Sequence, residues 1–263
     1  MATRAFRDAD PIAWAFHHNT GVGPYTSAPE PVSEAARPPK EYLHAPLLPL
    51  PAAALPDVAL ADALAARLSC RRFTADGLAP EQLAAVLGAG YGVAGRVLLG
   101  RAELLERPVP SGGGLYPLEL YVLVRAVPGL SPGAYHYAPQ HHGLEDLGTG
   151  PIPPAVLSRL FLGQPYLAAA AAMVVITAVL SRSLDKYGDR GYRYVLFEAG
   201  HVAQNLNLAA AACGLGACNA GGFFDAHLGD LLGLDPDQEV PLYGVAVGRP
   251  ASADRTDVRS PPQ

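Results

Sequence analysis

One stretch constrains the fold more than any other: "GYRYVLFEAGHVAQNLNLAAAACGLG", residues 191–216, reads as a single long helix. Val195, Leu196, Ala199, Val202, Ala203, Leu206 and Ala210 recur at helical spacing, and Gly214 and Gly216 close the run. A helix that is apolar on nearly every side belongs in the middle of a core, so the other elements must surround it. Those elements are of both kinds. Residues 58–69 and 80–90 read as helices, the second with Pro80 in its first turn. "LELYVLV" (118–124), "MVVITAVL" (173–180) and "LYGVAV" (242–247) read as strands, and 133–148 reads as a hairpin. Their order is not a regular βαβ alternation, so the fold class is α+β. Residues 1–56 hold many prolines and little periodicity and form an extended arm; residues 57–263 contain no linker and count as one domain.

Composition narrows the function classes. Only 16% of the residues are charged, below the roughly 25% of ordinary soluble domains, which favours a large subunit interface. A net charge of −5, without a basic stripe, speaks against nucleic acid and anionic lipid as partners. No apolar run reaches the ~18 residues of a membrane span, and the N-terminus lacks the pattern of a secretion signal. Cys70, Cys213 and Cys218 form no CxxC pair and leave one thiol over, which fits a reducing cytoplasm. The adjacent pairs His17–His18 and His141–His142 cannot easily chelate one ion, so no metal site is expected.

Four stretches carry polar chemistry that the fold does not need. In "RLSCRRF", Arg67, Ser69 and Arg71 alternate, so an extended segment would turn two guanidiniums and a hydroxyl to one side, as a phosphate requires. The plainer alternative is a basic helix end complementing the helix dipole. In "RPVPSGGGLYPLELYV", three consecutive glycines suit a backbone that must approach something flat or adopt positive φ. In "CNAGGFFDAHLGDLLGLD", Gly221 and Gly222 could present backbone N–H groups beside apolar rings, or simply cap the helix that follows. In "SRSLDKYGDRGYR", residues 181–193, Lys186, Arg190 and Arg193 crowd beside three tyrosines at a strand-to-helix junction where a plain loop needs only Gly188 and Gly191.

The joint order "RxSxRxF … PSGGxxYPLELYV … GxYHYxP … KYGDRGYRYxxxEAGHxAQNLxLAAxxxGLG … GxFxDxxLxxLLGLD … PLYxxxVGRP" resembles the SagB-type (ThcOx) dehydrogenases of the FMN-dependent nitroreductase superfamily, from Arg67 to Pro250. "FHHNT" at 16–20 is similar to the short His-Thr motif that opens such enzymes. The resemblance implies a nitroreductase-like fold, with a central mixed or antiparallel sheet surrounded by helices, and an intertwined homodimer with FMN at the subunit interface. Arg67, Ser69 and Arg71 match the phosphate- and ribityl-binding motif, and Arg249 the C-terminal basic residue reaching the same phosphate. Pro110, Ser111 and Gly112 match the segment that the partner subunit lays against the isoalloxazine. Gly221 and Gly222 match backbone donors near flavin N5. Leu68 departs from relatives that carry a second basic residue there.

Lys186 and Tyr187 match a catalytic pair of the thiazole- and oxazole-forming members. Oxidising a peptide azoline to an azole removes hydrogen from both ring carbons, and the Cα–H is a poor acid. A lysine sheltered from water beside the flavin becomes a usable base, and a neighbouring phenol can relay the proton. The implied function is therefore FMN-dependent azoline oxidation in natural-product biosynthesis, with oxygen reoxidising the flavin and a cyclodehydratase as a candidate partner. An NAD(P)H-dependent nitro- or quinone reductase, an oxidase of another amino-acid-derived substrate, and a non-catalytic scaffold are the rivals.

Overall fold

The structure is a computed structural model and describes residues 10–22, 39–99 and 102–251. Seven strands form one sheet: β1 (Leu47–Pro49), β4 (Leu118–Val124), β5 (Gly133–Ala138), β6 (Gly143–Asp146), β7 (Ala172–Val179), β8 (Gly216–Ala220) and β9 (Glu239–Gly248). Their order is β1-β6-β5-β4-β7-β9-β8, and every pairing is antiparallel. The expectation of a mixed or antiparallel sheet thus resolves to antiparallel. A separate hairpin joins β2 (Gly95–Leu99) to β3 (Ala102–Glu106). The helices are α1 (Pro11–Asn19), α2 (Leu60–Ala66), α3 (Pro80–Tyr91), α4 (Pro154–Leu160), α5 (Pro165–Ala169), α6 (Ser181–Tyr187), α7 (Arg190–Ala212) and α8 (Asp225–Leu232).

Strand alternation builds two cores. Leu118, Leu120, Val122 and Val124 of β4, with Val174 and Ile176 of β7, face α3 and α7, whose Leu83, Val86, Leu87, Val195, Val202 and Leu206 close that side. Tyr121, Leu123, Met173 and Val175 face the other way, under Leu157, Leu167, Leu228 and Leu232 of α4, α5 and α8. Both sheet faces are covered, which is why β4 and β7 are buried along almost their whole length. Helices α3 and α7 approach closely at Gly90, where an added Cβ would lie 2.4 Å from the Leu206 Cδ2.

Several expected boundaries move. The helix expected over 58–69 spans only 60–66, and residues 67–71 run extended, pinned by a parallel bridge from Ser69 to Ala217. The long helix stops at Ala212; Gly216 opens strand β8 rather than ending the helix. Leu196 and its neighbour Phe197 are exposed, so α7 is apolar on its outer side as well as in the core. The 181–193 stretch, expected as a loop, folds as α6 and the start of α7 around Gly188, whose φ of 54° the short connection requires. Of the proline-rich arm, residues 10–22 carry α1, and Leu47–Pro49 pair with β6; residues 1–9 and 23–38 lie outside the described residues, as do 252–263. Among the described residues, no helix is long and apolar enough to cross a membrane.

Leu206 fills the gap that Gly90 leaves and is fully buried. Leu206→Ala is expected to lower the unfolding free energy by about 2–5 kcal/mol, read from the shift in urea midpoint.

Candidate functional site

Two groups of expected site residues form on different parts of the fold. The first gathers around the glycine loop between β3 and β4. Gly112–Gly114 make a single 3₁₀ turn in which Gly113 and Gly114 have φ of 67° and 64°. Tyr116 follows at φ 44°, an uncommon and strained conformation for a residue with a Cβ. The turn is held by Gly114 N–H donating to the Ser111 carbonyl at 3.1 Å and Tyr116 N–H donating to the Ser111 hydroxyl at 2.9 Å. Each glycine has a distinct reason to lack a side chain. A Cβ on Gly112 would touch the Tyr194 ring at 3.3 Å; one on Gly113 would meet the Tyr187 hydroxyl at 2.5 Å and the Lys186 Nζ at 3.0 Å. The fold therefore brings Ser111, Gly112, Gly113, Lys186 and Tyr187 together.

Lys186 and Tyr187 reach the loop because α6 ends there. Gly188 N–H closes the last turn onto Leu184 O at 2.7 Å, and Gly191 lies directly on the backbone of Ser183. Lys186 Nζ stands 5.5 Å from the Tyr187 ring centre, and Tyr187 meets Tyr194 edge to face at 5.0 Å. The two arginines of the same stretch do something else. Arg193 Nε donates to the Thr20 hydroxyl at 2.6 Å, and a second guanidinium nitrogen donates to the His17 carbonyl. Arg190 donates to the Thr20 carbonyl at 3.1 Å. "FHHNT" is thus the end of α1, docked on the first turn of α7. Beside that contact lies a cavity of about 860 Å³ lined by Ile12, Phe16, Leu184 and Tyr192 among others, which includes neither Lys186 nor Tyr187.

The second group lies at the β8–β9 end of the sheet. Hydrogen bonds run from Cys70 N–H to Ala217 O, from Thr74 N–H to Arg249 O and from Ala251 N–H to Arg72 O, so the extended 67–74 segment is stitched between β8 and the chain following β9. Ser69, Arg71 and Arg249 are exposed and Arg67 is half-buried. Arg71 lies near enough to Cys218 to influence its thiol electrostatically, whereas Arg249 Nε is engaged by the Gly77 carbonyl at 3.1 Å. Gly221 and Gly222 follow β8; a Cβ on Gly222 would lie 2.9 Å from Leu162. Pro110 is exposed at the entry to the glycine loop. Among the described residues, no hydrogen bond or ion pair joins the two groups.

Residues that the sequence reading passed over support the first group. Glu198 of α7 is 2% exposed and accepts a hydrogen bond from Tyr91 at 2.7 Å. Burial, only partly offset by the neighbouring Ser111 and Tyr91 hydroxyls and by the Arg107 and Arg182 charges, pushes its pKa up to about 7. Arg107 lies 4.5 Å over the Tyr91 ring and donates to the Tyr91 carbonyl at 2.9 Å. Arg182 of α6 pairs with Glu119 at 2.6 Å and donates to the Tyr116 carbonyl at 3.3 Å, tying helix, loop and sheet. Behind Glu119, the fully buried His136 ring is held between Glu119 at 3.1 Å and Glu145 at 2.7 Å. A signal for Glu198 was present: it stands three residues after Val195 and four before Val202, a lone carboxylate on an apolar stripe.

A model described as the nitroreductase family matches residues 64–249. A protein of Methanocaldococcus jannaschii named among the nitroreductases is 37% identical over 74% of this chain and 94% of its own length. The microcin B17-processing protein of Escherichia coli is 32% identical over 52% of this chain and 52% of its own. Among solved structures, a nitroreductase-type protein from Anabaena variabilis superposes with a TM-score of 0.72 at 27% identity, covering 90% of this chain and 46% of that one.

The His136 network makes stability depend on pH at both ends. Burial opposes a charge on His136, but the hydrogen bonds it donates to both carboxylates outweigh it and raise its pKa. Burial likewise opposes ionised Glu119 and Glu145, yet the bonds to His136 win and lower both. The histidine's contribution is complete below about pH 6.5 and lost as pH rises through its raised value; the carboxylates' contribution is complete above about pH 4.3 and lost as pH falls through their lowered values. Urea midpoints followed across pH should show both limbs. His136→Gln should cost about 3–5 kcal/mol at neutral pH and erase the alkaline limb.

Proposed function

The chain belongs to the nitroreductase family, and on that premise we propose that it is an FMN-dependent dehydrogenase oxidising a peptide- or amino-acid-derived azoline to an azole. That it is an oxidoreductase of this fold follows from the family, and FMN is its cofactor. The residues suit that group: Arg67, Ser69, Arg71 and Arg249 offer guanidiniums and a hydroxyl for a phosphate and its ribityl chain. The Gly112–Gly114 turn offers a surface without Cβ atoms for a flat ring. The observation that carries the finer reading is the position of the Lys186 amine and Tyr187 phenol against Gly113, in the loop assigned to the isoalloxazine.

When bound, FMN supplies the acceptor for the electron pair that leaves the substrate ring. Lys186 takes the proton from the ring carbon that was the Cα, and the Tyr187 hydroxyl holds that amine in place and passes the proton outward. The loss of two hydrogens leaves an aromatic azole, and oxygen is the final oxidant. The exposed Leu196 and Phe197 of α7 and Leu60 and Leu64 of α2 belong, in this reading, to a homodimer interface. The dimer would bring the arginine group of one protomer to the glycine loop of its partner. Similarity to the microcin-processing protein, and to the trifolitoxin-processing protein of Rhizobium leguminosarum at 29% identity over 56% of this chain and 40% of its own, supports a peptide substrate and a cyclodehydratase partner.

A second reading, an NAD(P)H-dependent nitro- or quinone reductase, is favoured by the similarity to the M. jannaschii protein and to an NADPH-dependent FMN reductase of Bacillus subtilis, 30% identical over 55% of this chain. It leaves the Lys186–Tyr187 pair without a task.

Lys186→Ala should retain bound FMN while losing about 10²–10⁴-fold in azoline oxidation, measured by mass spectrometry of a thiazoline-bearing peptide. Full activity of that variant, or rapid bleaching of the native flavin by NADPH with no azoline turnover, would select the reductase. Arg71→Ala should weaken FMN binding by about tenfold or more, the worth of one charge-assisted hydrogen bond, in a fluorescence titration.

A further inference from the structure

A chain of polar side chains runs out of the core at the β8–β9 end of the sheet, and the catalytic scheme gives it no task. Asn207 of α7 is buried, and its amide nitrogen donates to the Ala203 carbonyl at 2.6 Å and to the Asn219 amide oxygen at 2.6 Å. Asn219 of β8 in turn donates to the Tyr243 hydroxyl of β9 at 3.1 Å. Asn219 is exposed and Tyr243 half-buried, so the chain ends at the surface. It ends beside the turn that follows β8, where a Cβ on Gly221 would lie 3.5 Å from the Tyr243 ring.

The direction of each bond in this chain is fixed. The Ala203 carbonyl can only accept, so the Asn207 group facing it is the NH2. Both hydrogens of that group are then spent, one on Ala203 and one on Asn219, and Asn219 must present its oxygen to Asn207. The Asn219 NH2 therefore faces Tyr243, whose oxygen accepts. A hydroxyl has one hydrogen to give, and among the described residues no acceptor meets that of Tyr243. The Gly221 and Gly222 N–H groups likewise meet no acceptor among the described residues. Three donors thus stand together at an exposed turn. The arginine segment runs alongside, since Ser69 bridges to Ala217, two residues before Asn219 on β8. A molecule with a phosphate at one end and an acceptor-rich ring edge at the other suits both features.

We propose that Tyr243 is a further FMN-binding residue whose hydroxyl donates to the acceptor-rich edge of the isoalloxazine, and that Asn219 and Asn207 are positioning residues that keep its hydrogen free. The inference rests on the reading that Gly221 and Gly222 lie at flavin N5. The ring edge that carries N5 also carries a carbonyl oxygen, which a neutral phenol suits as a donor. The two amides serve to hold one direction. Without Asn207, the Asn219 amide could turn over and take the Tyr243 hydrogen for itself.

The test is a double-mutant cycle on the FMN dissociation constant of the apoprotein, measured by quenching of flavin fluorescence. Tyr243→Phe should bind FMN about fivefold more weakly, the worth of one net hydrogen bond. Asn219→Asp keeps the shape of the side chain but turns an acceptor toward both neighbours, so Tyr243 must donate to it and its hydrogen is spent. The new charge also repels the anionic cofactor, but equally with Tyr or Phe at 243, so only the difference is read. Asn219→Asp should therefore cost about fivefold more with Tyr243 present than in the Tyr243→Phe background. Equal costs, or native affinity in Tyr243→Phe, overturn the proposal. FMN labelled with nitrogen-15 at N5 separates this failure from that of the underlying reading. A hydrogen-bonded N5 resonance in the native protein supports the placement of Gly221 and Gly222, and a failed cycle then condemns Tyr243 alone; an unbonded N5 overturns that placement and the proposal with it.

Discussion

The packing of α7 between α3 and one face of the sheet is the constraint on which the rest of the structure depends. Val195, Val202 and Leu206 fix that helix against Leu118, Leu120, Val122, Val174 and Ile176, and Gly90 allows α3 to close over it without a gap. Every component of the glycine-loop site is referred to α7. Its first turn receives α1 through Arg190 and Arg193; its second carries Tyr194 beneath Gly112; its third places Glu198 behind Ser111. A shift of α7 by a fraction of its pitch would separate the loop from Lys186 and Tyr187, because α6 and α7 are joined through Gly188 and the contact of Gly191 on Ser183.

Buried charge supports the same site from the opposite side. Arg182 stands one turn before Lys186 on α6 and is gripped by Glu119, whose other oxygen meets His136. The sheet face carrying Glu119, Tyr121 and His136 is polar at this end and apolar under α4, α5 and α8. Lys40 and Tyr42 cover the polar end: Lys40 pairs with Glu239 at 2.5 Å, and Tyr42 N–H reaches Glu145 at 3.2 Å. Such a network contributes little net stability over an apolar core of the same shape, but breaking one partner is costly. Its effect is to give α6 a single seat, which a site built from an amine and a phenol on that short helix requires.

The family accounts for the oxidoreductase fold and its flavin, while the proposed substrate rests on the chemistry of a few side chains. A reductase of small acceptors needs an exposed flavin and a route for a nicotinamide; an azoline oxidase needs in addition a base at the ring. In the proposed reading the Lys186–Tyr187 pair is the feature that separates the two; both groups stand against Gly113 of the glycine loop.

Much of this was legible in one dimension. Local periodicity set the class and most elements: β4 was read at its observed limits, and β7 and α3 each to within a residue, since burial on both faces or one stripe leaves a repeat in the chain. The glycine run announced a backbone in close contact, because only glycine tolerates φ near 65° twice in succession with side chains pressing on it. What the chain could not disclose is what pressed on it. That Tyr187, Lys186 and Tyr194 are those neighbours, that Arg193 serves Thr20, and that Glu198 lies near Ser111 are contacts between residues 73 to 173 positions apart. Helix α6 was missed because seven residues with three charges and a phenol carry no apolar period; its helix is imposed by Arg182 on Glu119 and by the packing of Gly191 on Ser183. Composition and spacing determine most of the regular elements, those whose residues repeat with a period set by neighbours in sequence. Which polar groups meet is decided only when the sheet and α7 close on each other, because a hydrogen bond or ion pair depends on distance in space.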